Sequence, residues 1–130
     1  MKICVYGAGA IGGYVATRLS ISGYNVSLIA RGQNLERIKE NGLTIIYKDF
    51  RETASLKVCS EPPTEKQDFV FLATKTTSLI DICPNIKEFS AKGSTIIPLM
   101  NGIPHWYFYG IGGKWRNTDI KCLDPTGEIR

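Results

Sequence analysis

Within its first 31 residues the chain commits to an alternation that few folds accommodate. Ile3 to Tyr6 is a short, largely apolar run with β-branched residues, closed by glycine, and it reads as a buried strand. Glycines follow at Gly7, Gly9 and Gly12, in G-x-G-x-x-G spacing. From Ala10 to Ser22 the apolar residues Ile11, Val15, Leu19 and Ile21 recur at near-helical spacing, and Gly23 is placed to end that helix. Val26 to Ile29 is a second apolar strand. Strand, glycine turn, helix and strand in this order predict an α/β fold with a mainly parallel, doubly wound sheet.

Each glycine of such a turn has its own physical task. Gly7 permits the tight exit from the strand, Gly9 lacks the Cβ that would hold a pyrophosphate away, and Gly12 lets the helix pack against the sheet. The free N–H groups at the helix start, with the positive end of its dipole, face the phosphates. The run Gly7, Ala8, Gly9, Ala10, Ile11 and Gly12 is therefore the predicted dinucleotide-binding segment. Glycines also mark ordinary turns, and it is the flanking strands that favour the binding reading. A site for NAD usually offers an acid about 20 residues further on, whereas a site for NADP places arginine there. The second strand ends in Ala30-Arg31-Gly32, without a carboxylate, so Arg31 points to NADPH/NADP. The plainer reading of Arg31 is a solvated charge after a strand.

The 130 residues suffice for one domain with a real core. A net charge of +4, spread along the chain without a stripe, does not call for nucleic acid. Cys4, Cys59, Cys83 and Cys122 form no C-x-x-C pair and His105 is the single histidine, which argues against a zinc site. Cys4 reads as a small core residue, and reduced thiols in a cytoplasmic protein are expected. The first apolar run is broken at once by glycines, so no signal peptide is expected, and no apolar run approaches membrane-spanning length.

Further along, Asn34 is placed to cap a short helix with Leu35 and Ile38 inward and Asn41-Gly42 closing it. Leu43 to Tyr47 and Ala54 to Cys59 suggest a hairpin across a polar turn, decorating the sheet. The segment from Glu61 to Lys66, with its proline pair, is a loop inside one domain. Asp68 to Ala73 is the next buried strand, and it delivers Lys75 to the side where open α/β sheets bind ligands. The plainer reading of Lys75 is a solvated loop charge. A helix from Ser78 to about Phe89 turns Leu79, Ile82 and Ile86 inward, is interrupted by Pro84, and ends at Lys92-Gly93. The strand Ser94 to Leu99 then brings Asn101 to the same side, where its amide suits the orientation of a carbonyl or hydroxyl. Asn101-Gly102 also fits a simple turn. The aromatic run from His105 to Tyr109 suits a pocket roof, a subunit contact or, most plainly, a short helix packed on the sheet. Ile120 to Leu123 reads as a short strand, and Asp124-Pro125-Thr126-Gly127 as a turn.

Taken together, these residues resemble the N-terminal part of the ketopantoate reductase (2-dehydropantoate 2-reductase) family. The likeness rests on Met1-Lys2-Ile3 into Gly7-Ala8-Gly9-Ala10-Ile11-Gly12-Gly13, on Leu28-Ile29-Ala30-Arg31-Gly32, on Ala73-Thr74-Lys75, and on Leu99-Met100-Asn101-Gly102-Ile103-Pro104 with Asp124-Pro125-Thr126-Gly127. It covers essentially the whole chain. It implies a Rossmann-type domain and NADPH-dependent reduction of 2-dehydropantoate, or a related 2-keto acid, to pantoate on the route to pantothenate. It also implies that the glycine run holds the pyrophosphate, that Arg31 takes the 2′-phosphate, that Lys75 lies at the cofactor, and that Asn101, the one catalytic candidate, sits between nicotinamide and substrate. Thr74 and His105 depart from many members, which leaves subfamily and substrate open. Family members are about twice as long, with the proton-donating lysine and a substrate-binding glutamate in a helical C-terminal domain. The expectation is a truncated dinucleotide-binding domain over residues 1–130, its sheet incomplete at the C-terminal end, with an exposed edge through which copies associate. A non-catalytic NADP(H)-binding module is the alternative.

Overall fold

The computed structural model describes residues 1–127 and 129. In chain order it contains β1 (Lys2–Tyr6), α1 (Ala10–Ile21), β2 (Asn25–Ile29), α2 (Gly32–Asn41), β3 (Leu43–Tyr47), β4 (Phe50–Ala54), β5 (Lys57–Cys59), β6 (Gln67–Leu72), a 3₁₀ turn (Thr76–Ser78), α3 (Leu79–Phe89) and β7 (Ser90–Pro98). Five strands form one parallel sheet in the order β5-β2-β1-β6-β7. Strand order reverses between β1 and β6, which is the doubly wound, Rossmann-type arrangement expected.

Period-2 geometry explains why the strands read as continuous apolar runs. Ile3 and Val5 of β1 point to one face, with Val26 and Leu28 of β2, and meet Ala16 of α1 and Leu35 and Ile38 of α2. Cys4 and Tyr6 point to the other face, with Ile29, Val70 and Leu72, and meet Leu79, Ile82, Ile86 and Phe89 of α3. Both faces of the sheet are thus covered at β1 and β2, which show no alternation with solvent, whereas β7 at the edge is half-buried or exposed along its length. Cys4 is wholly buried, and burial pushes its thiol up to about 12, so it stays protonated.

Several local expectations are corrected. The apolar residues of α1 do not all mark its buried side: Ile11 and Ile21 are exposed, and Gly12, Gly13, Ala16 and Thr17 face inward. A helix that must touch the sheet closely does so through its smallest residues. Its end is as read, with the amides of Gly23 and Tyr24 returning to Ser20 O and Leu19 O at 2.9 and 3.1 Å. The strand returning from β3 is Phe50–Ala54, paired antiparallel in a separate two-stranded sheet, while Lys57–Cys59 joins the edge of the main sheet. Helix α3 remains one element through Pro84, which lies on its exposed side and forfeits one backbone bond. It ends at Phe89, and β7 starts at Ser90, with an irregular register between Gln67 and Phe69. Residues 105–110 are turns, not a helix, and 121–123 are a turn, not a strand.

Candidate functional site

The crevice outside the carboxyl ends of β1 and β6, where strand order reverses, is where open sheets of this kind take ligands. A cleft of about 280 Å³ lies there. Its walls are Tyr6, Gly7, Ala8 and Gly9 from β1 and its turn, Ile29, Ala30, Arg31 and Asn34 from the end of β2 and α2, and Thr74, Ser78, Asp81 and Ile82 from β6 and α3. The cleft is open to solvent on one side, and its volume is at the low end for small-molecule pockets.

The glycines divide into two kinds. At Gly12 a Cβ would stand 1.9 Å from Gly7 O, and at Gly7, with φ +109°, it would stand 2.7 Å from Ala73 O. Those two let the turn, α1 and the end of β6 close on one another. Gly9 is different: φ is −76°, ordinary for any residue, and a Cβ there would meet nothing within 4 Å. The protein does not need a glycine at this position for its own packing. The open space above Gly9 fits the close approach of a phosphate.

Gly9 is also the N-cap of α1, with no side-chain cap and no acid in the first turn. The first amides of the helix keep their hydrogen-bonding capacity and its positive dipole end is uncompensated, a combination that suits an anion. Across the cleft, Arg31 is exposed and lies 3.5 Å from the Tyr6 hydroxyl. Among the described residues the ion pairs are Lys2–Glu65, Arg18–Glu52 and Lys39–Glu36, and none engages Arg31. Asn34 is inside α2, whose N-cap is Arg31, so it is not the cap expected. Its Nδ2 instead donates to Ala8 O at 3.0 Å, tying the glycine turn to α2. Open glycine, uncapped helix start and a guanidinium in no ion pair fit the phosphates of a dinucleotide.

Of the residues singled out in the sequence, Gly7, Ala8, Gly9 and Arg31 meet in this cleft. Ala10 borders a neighbouring recess, Ile11 points outward and Gly12 is buried under the turn. Lys75 and Asn101 are exposed and line no part of the cleft. Their loops nevertheless meet at the same end of the sheet, where the Thr76 hydroxyl donates to Asn101 O at 2.9 Å. Tyr6, Asn34, Thr74, Ser78 and Asp81 were not foreseen as walls. Thr74 had a signal, since it follows a strand beside the glycine turn. His105 is held below the usual imidazole range by burial, partly offset by Asp124, and its Nδ1 is buried without a partner. An imidazole kept neutral in this way is a poor proton donor. No group of three potential metal ligands occurs among the described residues.

Residues 3–106 match the ketopantoate reductase PanE/ApbA family. The chain belongs to that family. Among its relatives, the 2-dehydropantoate 2-reductase of Mesorhizobium japonicum is 38% identical over 131 residues, covering 99% of this chain and 40% of that protein. An uncharacterized oxidoreductase of Bacillus subtilis is 35% identical, over 99% of this chain and 45% of its own length. The structure of a candidate ketopantoate reductase from Ralstonia solanacearum superposes with a TM-score of 0.86 at 29% identity, covering 98% of this chain and 40% of the other. A D-mandelate dehydrogenase solved with NADH and anilino(oxo)acetate superposes with a TM-score of 0.72 at 32% identity, covering 81% of this chain and 35% of the other. The chain thus spans less than half the length of these ketopantoate reductase relatives. No helix among the described residues is long and apolar enough to cross a membrane.

Proposed function

We propose that residues 1–130 form the NADP(H)-binding part of a cytoplasmic reductase that converts a 2-keto acid, in the first instance 2-dehydropantoate, to its 2-hydroxy acid, pantoate, for pantothenate synthesis. The observation that carries this reading is Arg31, in no ion pair among the described residues, in the wall of the same cleft as the glycine turn. The end of β2, where an NAD site sets its acid, has none. In this reading Gly7 to Gly12 hold the pyrophosphate on the open amides of α1 and Arg31 takes the 2′-phosphate. Lys75 and Asn101 serve the nicotinamide end, with Asn101 orienting the substrate carbonyl. When bound, the reduced nicotinamide supplies hydride.

The proton donor is a lysine of a helical domain outside these residues, as the family resemblance implies. The described residues support that division, because Asn101 is not an acid, Lys75 stands outside the cleft and His105 is held neutral. Titration of NADPH and NADH against the chain and against Arg31→Ala tests the reading. A hydrogen bond to a charged group contributes about 1.5–3 kcal/mol, so NADPH is expected to bind the parent about 10- to 150-fold tighter, with the advantage lost in the variant. Equal affinities in the parent would overturn the NADP assignment.

A further inference from the structure

The turn that carries Asn101 hangs from a single point. Strands β6 and β7 stay paired as far as Leu99, whose amide donates to Leu72 O at 2.9 Å. Beyond it, among the described residues, residues 100–103 make one hydrogen bond, in which the Thr76 hydroxyl donates to Asn101 O at 2.9 Å. The same oxygen lies 3.5 Å from where a Cβ on Gly102 would stand, so it is seated against the Asn101-Gly102 turn. Gly102 has φ +108° and no side chain with which to fix that turn. Thr76, by contrast, stands on a firm base. It opens the 3₁₀ turn into α3, where the Ser78 amide returns to Lys75 O at 2.9 Å, and Leu79 just beyond is buried in the core. Thr76 also follows Lys75 directly, so its bond sets the loops of Lys75 and Asn101 relative to each other.

We infer that Thr76 is a positioning residue, whose hydroxyl holds the backbone of Asn101 in the place from which its amide serves the nicotinamide end. The inference rests on the reading of Asn101 proposed above and adds the residue through which that reading works. A group that orients a reacting carbonyl must be held to within about half an ångström by its supporting shell. An exposed loop with no bond of its own does not meet that demand, because it samples many conformations before the ligand arrives. The bond from Thr76 removes that freedom beforehand. It lies between exposed loops, so its loss changes the order of the turn far more than the stability of the fold.

Thr76→Val and Thr76→Ser separate this role from a structural one, since valine keeps the branched shape without the donor and serine keeps the donor. In the isotopically labelled chain, the heteronuclear NOEs of the Asn101 and Gly102 amides are expected to match those of β7 in the parent and in Thr76→Ser. In Thr76→Val they are expected to drop to the values of a free loop. At saturation, NADPH is expected to shift the Asn101 side-chain amide resonances in the parent and in Thr76→Ser, and markedly less in Thr76→Val. 2′-Phospho-ADP-ribose, which lacks the nicotinamide, is expected to bind all three chains alike, because Thr76 is not in the wall of the cleft. Unchanged NOEs in Thr76→Val overturn the inference and leave the reading of Asn101 intact. Loss of order in Thr76→Ser as well overturns the assignment to the hydroxyl. Weaker binding of 2′-phospho-ADP-ribose by Thr76→Val means a general loosening, and overturns the positioning role. A parent chain in which NADPH leaves the Asn101 resonances unmoved overturns the reading of Asn101 itself, and this inference with it.

Discussion

Gly9 and Gly12 are three residues apart in one motif, yet their physical roles separate cleanly. A side chain at Gly12 collides with the Gly7 carbonyl, a backbone atom that cannot step aside. Gly12→Ala is expected to destabilise the fold by about 3 kcal/mol, as overpacking of a closed core does, and to lower the thermal midpoint. A side chain at Gly9 meets only open space and an ordinary φ. Gly9→Val is expected to retain native-like circular dichroism and thermal midpoint, and to lose NADPH binding because its methyls occupy the place of the phosphate. Calorimetric titration checks this: NADPH binding at parental affinity by a well-folded Gly9→Val chain would show that the glycine turn is not the phosphate site.

The two edge strands differ as elements. β5 is three residues long, too short to template another strand, whereas β7 is nine residues long and is paired on one side by β6. Ile96, the third residue from its end, is 45% exposed. A long edge with an exposed apolar residue and few inward charges is a site for strand addition. Copies of the chain are expected to associate through β7, and Ile96→Lys to reduce the mass measured by light scattering. The hairpin of β3 and β4 offers a competing surface at its tip, where Ile46 is 69% exposed. Association that survives Ile96→Lys but is lost in Ile46→Lys would move the contact to the hairpin.

At the scale of the whole molecule, the proposed reading sets cofactor binding and chemistry in different places. Reduction of a ketone builds charge on the carbonyl oxygen, which needs a positioned acid or cation. The cleft holds Arg31 in its wall, the proposed phosphate side, while Lys75 and Asn101 stand outside it on exposed loops. The 130-residue chain is therefore expected to bind NADPH and yet not to oxidise it measurably with 2-dehydropantoate. The assay follows absorbance of NADPH with purified chain. Robust turnover that disappears in Asn101→Ala would show that these residues hold the complete machinery.

What the sequence determined by itself is what depends on short range. The strand at Ile3 to Tyr6, the spacing of Gly7, Gly9 and Gly12, the stop at Gly23 and the inward faces of Leu35, Ile38, Leu79, Ile82 and Ile86 are all set within a few residues, by backbone geometry and apolar periodicity. The tertiary structure decided whatever depends on a neighbour distant in the chain. Asn34 reads as a cap because its amide suits one, but Ala8 O is nearer in the fold. Ile11 reads as core, but contact with the Gly7 turn demands the small face of α1. The run Ala54 to Cys59 reads as one strand, but Ser55-Leu56 passes the chain from the hairpin to the sheet. Thr74 and Asp81 share a cleft with Arg31 only because β6 lies beside β1, a pairing that joins residues more than 60 apart in the chain. The physical reason is the same in each case: local preference is a matter of fractions of a kcal/mol per residue, and the packing of distant segments outweighs it.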